Sequence, residues 1–247
     1  METTPDRRSL RRRRWRVLSV AAVALVAVVL SACEPDPYLG PSDGPRLAIV
    51  GDSLIDQSRD QMSQTFIADG WYTSVTGRGG YTSRDHWSTE RRVMETDPSV
   101  VVLALGTNDF REIVTGLQTW DGFRASVRES IGITRAAPCL VWVGVTQTYG
   151  FYGGPPTGNL DQLGWVINVI IQQELAASGR PVGTTFYADW AAASRNRPEY
   201  FNGPGDVHLN DTGDAAYARL IESAVDRCPV RSVLTDRDPT TDRRRRR

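Results

Sequence analysis

A serine stands directly behind a short apolar run of the chain. The motif Gly51–Leu54, Gly-Asp-Ser-Leu, follows Leu47–Val50, so Ser53 comes where a buried strand ends. In open α/β sheets, the carboxyl ends of the strands are where chemistry is done. A serine hydroxyl placed there, with a base in reach, is able to attack an acyl carbon. The same residues also suit a plain turn in which Asp52 or Ser53 caps the next helix, and by themselves they do not decide between the two.

Three further motifs follow other predicted strands and offer groups that would complete such a site. Gly79–Thr82 contains two glycines, which allow a backbone N–H to approach a ligand closely. Gly106–Asp109 places the carboxamide of Asn108 at the same sheet edge, and Asp206–Asn210 offers an imidazole as general base. Taken singly, the three motifs are better explained as a loop, a turn with a helix cap and a solvated loop histidine.

Together the four motifs resemble the four blocks of the SGNH hydrolases, also called the GDSL lipase and esterase family, over most of residues 46–226. The resemblance implies that Ser53 is the nucleophile and His208 the general base. It also implies an oxyanion hole made of the backbone N–H groups of Ser53 and Gly80 and the side chain of Asn108. Each such donor stabilises the tetrahedral intermediate by about 2.7–4 kcal/mol.

The third member of the triad is where this sequence departs from the family pattern. The family writes its last block as Asp-x-x-His, but Gly205 stands three residues before His208, and Asp206 only two before. Either the loop bends so that Asp206 reaches the imidazole, or a backbone carbonyl orients the ring and leaves a Ser–His dyad. The other histidine, His86, is expected in a surface loop.

The elements that must position these residues alternate between strand and helix. Five apolar runs, mostly β-branched, are typical of parallel strands that are covered on both faces. They are Arg46–Val50, Trp71–Thr76, Ser99–Leu105, Cys139–Val145 and Thr184–Trp190. Helical periodicity separates them, and Asn210 or Asp211 is expected to cap the last helix. The pattern predicts a single doubly wound, flavodoxin-like α/β domain over residues 46–229, with a five-stranded parallel sheet and helices on both faces.

One loop is rich in aromatic residues. Residues 147–159 follow the fourth predicted strand and contain Tyr149, Phe151 and Tyr152 among glycines and prolines. We expect the loop to overhang the site, where the aromatic side chains would line an acyl or sugar pocket or pack on one another. The sequence has no metal-ligand cluster and no phosphate-cradling glycine loop, so it implies no cofactor.

The N-terminus is typical of a bacterial lipoprotein signal peptide, predicted over residues 1–32. Arginines precede the apolar stretch Val17–Leu30, which is shorter than the roughly 20 residues of a membrane-spanning helix. The stretch runs into Leu30–Cys33, which resembles a lipobox. Lipidated Cys33 would anchor the exported protein to the outer face of the cell membrane. An uncleaved membrane anchor and a secretory signal cut after Ala32 are the alternatives.

Two further segments are predicted to lie outside the domain. Residues 33–45 contain four prolines and are expected to be an unpacked tether that spans up to roughly 35 Å. Residues 230–247 end in five arginines and are expected to be disordered, or else to bind anionic lipid headgroups or envelope polymers. Apart from Cys33, the chain has Cys139 and Cys228, and export to an oxidising compartment favours a disulfide over two free thiols.

The formal net charge of zero conceals an acidic middle between two basic termini. Residues 33–230 contain 15 arginines against 24 acidic residues. An acidic domain argues against a nucleic-acid-binding surface.

A second serine motif, Gly-Pro-Ser-Asp-Gly around Ser42, fits the G-x-S-x-G pattern, but no strand precedes it as a nucleophile elbow requires.

The sequence therefore predicts a serine esterase that hydrolyses carboxylic O-acyl esters through an acyl-enzyme on Ser53. Its substrate would be a small ester, an acetylated glycan or a lipid. An O-acyltransferase with the same site is one alternative, because it differs only in the acyl acceptor. A binding or structural lipoprotein with a weakened site is the other, supported only by the shifted position of Asp206.

Overall fold

The computed structural model describes residues 35–146, 158–203 and 205–231. The predicted signal peptide (1–32), the predicted lipidation site Cys33, the aromatic residues Tyr149, Phe151 and Tyr152 and the predicted tail beyond Arg231 lie outside the described residues. Within the described part of the chain, no helix has the length and apolarity needed to cross a membrane.

Five parallel strands form one sheet. They are β1 (Arg46–Gly51), β2 (Tyr72–Gly77), β3 (Val100–Ala104), β4 (Cys139–Val143) and β5 (Thr185–Ala188). Their order across the sheet is β2-β1-β3-β4-β5, which confirms the predicted doubly wound, flavodoxin-like topology. The order in which strands are added to the sheet reverses at β1, with β2 on one side and β3 on the other. The last residue of β1, Gly51, is level with Gly77 of β2 and Ala104 of β3. This topological switch point opens a crevice at the carboxyl ends of β1 and β3.

Helices cover both faces of the sheet. In the described residues they are α1 (Ser53–Gln57), α2 (Arg59–Ala68), α3 (Trp87–Glu95), α4 (Thr107–Val114), α5 (Trp120–Ile133), α6 (Gly158–Ala177), α7 (Trp190–Ser194) and α8 (Asp211–Val225). The strand β1 shows why both faces need cover. Leu47 and Ile49 point into one apolar cluster, Ala48 and Val50 into the other, and all four are fully buried. A strand buried on both faces is apolar at every position, as the sequence predicted.

A disulfide joins Cys139, the first residue of β4, to Cys228, just after α8. Both residues are buried in the cluster between the sheet and α8. The bond confirms the predicted pairing and fixes the end of α8 at the amino edge of the sheet. The start of α8 is thereby directed towards the opposite, carboxyl edge.

The segment before β1 is packed, and the prediction of an unpacked tether is wrong for residues 36–45. Leu39 and Thr73 of β2 exchange both backbone hydrogen bonds, at 2.8 Å each, in an antiparallel bridge. The ring of Tyr38 lies 5.0 Å from that of Tyr72. Prolines are tolerated here because a strand at the edge of a sheet has N–H groups that face away from the ladder. The segment thus covers the exposed side of β2, which would otherwise be an unprotected edge.

Candidate active site

Ser53 begins α1 directly after β1, at the switch point of the sheet. The preceding residue, Asp52, is the N-cap of this helix, and its Oδ1 accepts a hydrogen bond from the N–H of Leu54 at 3.0 Å. Asp52 is buried, and burial raises its pKa to about 7 despite that hydrogen bond. The capped turn and the strand-end serine were alternatives in the sequence, and the structure contains both. The cap is what fixes Ser53 at the mouth of the crevice.

The imidazole of His208 lies between Ser53 and Asp206. Its Nε2 is 3.2 Å from Oγ of Ser53, and its Nδ1 is 2.9 Å from Oδ1 of Asp206. A carboxylate only accepts, so Nδ1 carries the proton and Nε2 is free to accept from the serine hydroxyl. The side chains of His208 and Asp206 are 37% and 39% exposed, so the base is open to a substrate. The structure thus brings together three residues that were predicted to act as a catalytic triad.

A compact turn brings the carboxylate to the ring. Oδ1 of Asp206 also accepts the backbone N–H of His208 at 3.0 Å, which closes a turn over Val207. Gly205 precedes this turn with a φ of +77°, a backbone conformation that residues other than glycine rarely adopt. Of the two alternatives left open by the sequence, the structure shows the bent loop.

A short hairpin holds His208 from the other side. Phe201 and Leu209 form an antiparallel bridge, and the N–H of Asn202 donates to the carbonyl of His208 at 3.0 Å. The following residue, Asn210, is the N-cap of α8, with its Oδ1 accepting from the N–H groups of the first turn. One of the two predicted caps is therefore confirmed. Because α8 starts immediately after the base, the helix and its disulfide anchor position the imidazole.

The predicted oxyanion donors Asn108 and Gly80 lie at the same edge of the sheet as Ser53. Asn108 is in the first turn of α4, and its Nδ2 donates to the carbonyl of Tyr81 at 3.0 Å. Gly80 adopts a φ of +80°, and a Cβ added to its neighbour Gly79 would lie 4.0 Å from Cβ of Ser53. The glycine loop therefore runs beside the serine, and the Tyr81 carbonyl orients the Asn108 carboxamide. The hydrogen bond uses one of the two amide protons of Asn108 and leaves the other for a ligand.

Asp109 connects the glycine loop to α4, a role that the sequence interpretation missed. Its buried Oδ2 accepts from both the backbone N–H and the hydroxyl of Ser83, at 2.8 and 2.9 Å, and its Oδ1 accepts from Gln118 at 3.2 Å. Burial raises the pKa of this carboxyl. The sequence did contain a feature that could have predicted this role, because Asp109 stands in a motif beside the apolar Phe110. An acidic residue inside a buried element needs partners.

His86 is buried, so the prediction of a surface histidine is wrong. Its side chain is fully inaccessible, with the ring 5.1 Å from that of Tyr81. Burial lowers its pKa to about 4, so the ring is neutral at pH 7. The reason is local, because a 3₁₀ turn, Arg84–His86, leads directly into α3 and turns the side chain inward. Of the two histidines in the chain, only His208 contacts Ser53.

Among the described residues, no group of three or more His, Cys, Asp or Glu side chains is placed to hold a metal ion. The polar groups of the site are instead a hydroxyl, an imidazole, a carboxylate and convergent N–H donors. That set is suited to acyl transfer through a covalent serine intermediate.

Comparison with known proteins agrees with this geometry. The model of the GDSL-like lipase/acylhydrolase family matches residues 49–216, which include all four motifs. A search of curated protein sequences finds no significant match.

Solved structures share the fold at low sequence identity. An α/β hydrolase enzyme from the metagenome of Lake Arreo has a TM-score of 0.59 at 15% identity, covering 75% of this chain and 96% of that one. A catalytic mutant of an acetylxylan esterase from Geobacillus stearothermophilus has a TM-score of 0.58 at 18% identity, over 76% and 96%. A GDSL-like lipase from Bacteroides thetaiotaomicron has a TM-score of 0.56 at 18% identity, over 73% and 87%.

Proposed function

The chain belongs to the GDSL-like lipase/acylhydrolase family and is a carboxylic ester hydrolase, and from this premise we propose that it works through an acyl-enzyme on Ser53 while anchored by lipidated Cys33. The observation that carries the catalytic part is the continuous path from Oγ of Ser53 to Nε2 of His208 and from Nδ1 to Asp206. The anchoring part is carried by the lipobox-like Leu30–Cys33.

In acylation, Oγ of Ser53 attacks the ester carbonyl carbon while Nε2 of His208 takes the hydroxyl proton. The carboxylate of Asp206 stabilises the resulting imidazolium. The tetrahedral oxyanion receives hydrogen bonds from the backbone N–H groups of Ser53 and Gly80 and from Nδ2 of Asn108. Collapse of the intermediate breaks the bond to the leaving oxygen. The imidazolium returns its proton to that oxygen, so an alcohol departs and an ester on Ser53 remains.

Deacylation repeats these steps with water. His208 accepts a proton from water as the water oxygen attacks the acyl carbon, and the same donors stabilise the second oxyanion. Breakdown releases the carboxylic acid and returns the proton to Oγ of Ser53. The site is thereby restored without a cofactor.

The alternative function, a binding or structural lipoprotein with a weakened site, depended on one observation. That observation was the spacing between Asp206 and His208, and the turn described above brings the carboxylate to 2.9 Å from the ring nitrogen. We therefore retain the enzymatic function and do not propose a weakened site.

Hydrolysis of p-nitrophenyl acetate by the full chain tests the catalytic part. Ser53→Ala should lower kcat by at least about 10³-fold, because removal of the nucleophile of a serine triad abolishes covalent catalysis. Ser42→Ala is the matched control, since Ser42 lies in the other serine motif and is exposed. Loss of activity in Ser42→Ala with full activity in Ser53→Ala would overturn the assignment.

Mass spectrometry of the N-terminal peptide from membranes of the native host tests the anchoring part. We expect the mature chain to begin at Cys33 with a diacylglyceryl group, and Cys33→Ala to be missing from the membrane fraction. A soluble mature protein that begins at Cys33 without lipid would contradict the proposal and favour an ordinary secretory signal.

A further inference from the structure

The N-terminal end of the packed segment before β1 lies at the catalytic edge of the sheet. The antiparallel pairing of Leu39 with Thr73 places Asp36 level with Thr76, near the carboxyl end of β2. The hydrogen bonds agree, because the N–H of Asp36 donates to Oγ1 of Thr76 at 2.8 Å, and its carbonyl accepts from Oγ of Ser74 at 2.5 Å. The chain therefore enters the domain beside the active site and runs away from it towards β1.

Two ion pairs fix this entry point. The carboxylate of Asp36 lies 2.5 Å from Arg59 and 3.5 Å from Arg78, and its side chain is only 24% exposed. Arg78 follows β2 and is two residues from Gly80 of the glycine loop. Exposed ion pairs contribute little, but this carboxylate is partly buried and has two cationic partners. The backbone N–H and carbonyl of Asp36 are also hydrogen-bonded, to Thr76 and Ser74. These contacts hold Asp36 in place at the catalytic edge of the sheet.

The distance from this point to Cys33 is limited by the chain itself. Three residue steps separate Cys33 from Asp36, which span at most about 11 Å even when fully extended. On the other side, Asp36 lies on the segment beyond β2, two strand spacings from β1, or about 10 Å. A lipid on Cys33 would therefore be held close to the edge that bears Ser53, and the stand-off of roughly 35 Å expected for a free tether is not available.

We infer that the catalytic edge of the sheet faces the lipid surface and that the enzyme takes ester substrates presented there. This inference rests on the proposed lipidation of Cys33. It narrows the substrate from any accessible ester to one carried by, or lying against, the membrane.

The rim of the same edge carries an exposed apolar side chain. Leu117 is 72% exposed and lies in the connection between α4 and α5. Its neighbour Gln118 donates to Asp109, which itself binds the loop that follows Gly80, so this connection lies at the catalytic edge. An apolar side chain in this place is suited to contact with the headgroup region of a bilayer.

Energy transfer from two labelled positions to the membrane tests the orientation. Leu117→Cys marks the catalytic edge. Val182→Cys marks the opposite edge, where fully exposed Val182 precedes β5. The added thiol is the one available to a maleimide donor, since Cys139 and Cys228 form a disulfide and Cys33 would carry lipid. The lipidated full chain is placed in vesicles of phosphatidylcholine and phosphatidylglycerol that contain a headgroup-linked acceptor.

We expect severalfold more transfer from position 117 than from position 182, since α5 alone spans about 21 Å between the two edges. A flexible 20-residue Gly-Ser insertion between Glu34 and Pro35 should remove most of the difference while leaving the contacts of Asp36 intact. Equal transfer from both positions of the native chain, or more from 182, would overturn the inference.

A matched pair of acetate esters tests the consequence for substrates. One is umbelliferyl acetate free in solution, and the other is the same ester coupled to the headgroup of phosphatidylethanolamine in the vesicle. The Gly-Ser insertion should lower hydrolysis of the lipid-linked ester severalfold and leave hydrolysis of the free ester unchanged. Native protein that hydrolyses only the free ester would contradict the inference.

The two proposals fail in different ways. Loss of all hydrolysis of the free ester would count against the esterase assignment, and an unmodified Cys33 would count against the anchor. A lipidated, active protein with equal transfer from positions 117 and 182 would count against the orientation alone.

Discussion

The carboxylate of Asp206 lies 2.9 Å from Nδ1 of His208, although a single residue separates the two in the sequence. The same carboxylate oxygen also accepts the backbone N–H of His208 at 3.0 Å. The turn thus fixes the backbone and the ring of the base with one acceptor. A carboxylate two residues before the histidine therefore reaches the ring nitrogen, and we propose that it serves in place of one three residues before it.

This arrangement predicts unequal effects of removing the two residues. His208→Ala removes the proton acceptor for Ser53, whereas Asp206→Ala leaves an imidazole whose orientation and charge are less well stabilised. In a serine triad, loss of the carboxylate costs about one to two orders of magnitude less than loss of the histidine. Single-turnover acylation rates with p-nitrophenyl acetate measure both. Equal losses in the two variants would show that the carboxylate is as essential as the base.

Asn108→Ala should lower kcat by about 10²–10³-fold with little change in KM, because an oxyanion donor acts mainly on the transition state. The substitution also removes the hydrogen bond to Tyr81. Ser83→Ala is a suitable control, since it removes one hydrogen bond to Asp109 from the same loop without removing a proposed oxyanion donor. Similar losses of kcat in both variants would indicate that Asn108 acts through loop structure alone.

The disulfide between Cys139 and Cys228 should make a large contribution to stability. It closes a sequence separation of 89 residues, for which loop-closure entropy gives about 4–5 kcal/mol. We expect Cys139→Ala/Cys228→Ala to lower the free energy of unfolding in urea by about 2–5 kcal/mol. A reductant should destabilise the native protein and leave the double variant unchanged. A difference of less than about 1 kcal/mol would contradict the prediction.

Stability should fall as the pH rises from 6.5 to 8. Burial raises the pKa of Glu90 to about 8 from an ordinary value of 4.5, although Ser130 donates to its Oε1 at 2.8 Å. Between these values the folded chain holds a proton that the unfolded chain has lost. The contribution of Glu90 to the free energy of unfolding is therefore fully present below pH 4.5 and is lost as the pH rises through 8.

Two other buried groups, His86 and Asp52, titrate near this pH window. His86, with its pKa lowered to about 4 from an ordinary value of 6.5, acts in the opposite direction, mainly between pH 4 and 6.5, and little of its effect remains above about pH 7.5. Asp52, with its pKa raised to about 7, acts in the same direction as Glu90 over the lower part of the window. Glu90→Gln should flatten the decrease in urea stability between pH 6.5 and 8. An unchanged slope in Glu90→Gln would show that this carboxyl is not the cause.

The sheet and most of the candidate site followed from the sequence because their determinants are local. A strand buried on both faces is apolar throughout, as in Leu47–Val50, and strand ends place Ser53, Gly80 and Asn108 at one edge without knowledge of tertiary contacts. The pairing of Cys139 with Cys228 also followed from the cysteine count and the predicted export.

The features that the sequence did not reveal depend on turn geometry and on packing between segments. The burial of His86 depends on how the 3₁₀ turn meets α3, and neither residue type nor spacing reports that packing. The proline-rich segment resembles a tether in composition, yet the N–H groups of Asp36 and Leu39 are correctly spaced to bond to β2. Whether the carboxylate of Asp206 reaches the ring of His208 depends on the geometry of the turn between them, which the sequence does not specify.

Covalent labelling of the full chain with a fluorophosphonate tests the central claim most directly. The probe reacts with an activated serine, and peptide mapping identifies the residue that carries the phosphonate. The account predicts one adduct, on Ser53, that is absent in Ser53→Ala and strongly slowed in His208→Ala. No labelling of an actively hydrolysing native protein, or an adduct on a different serine, would contradict it.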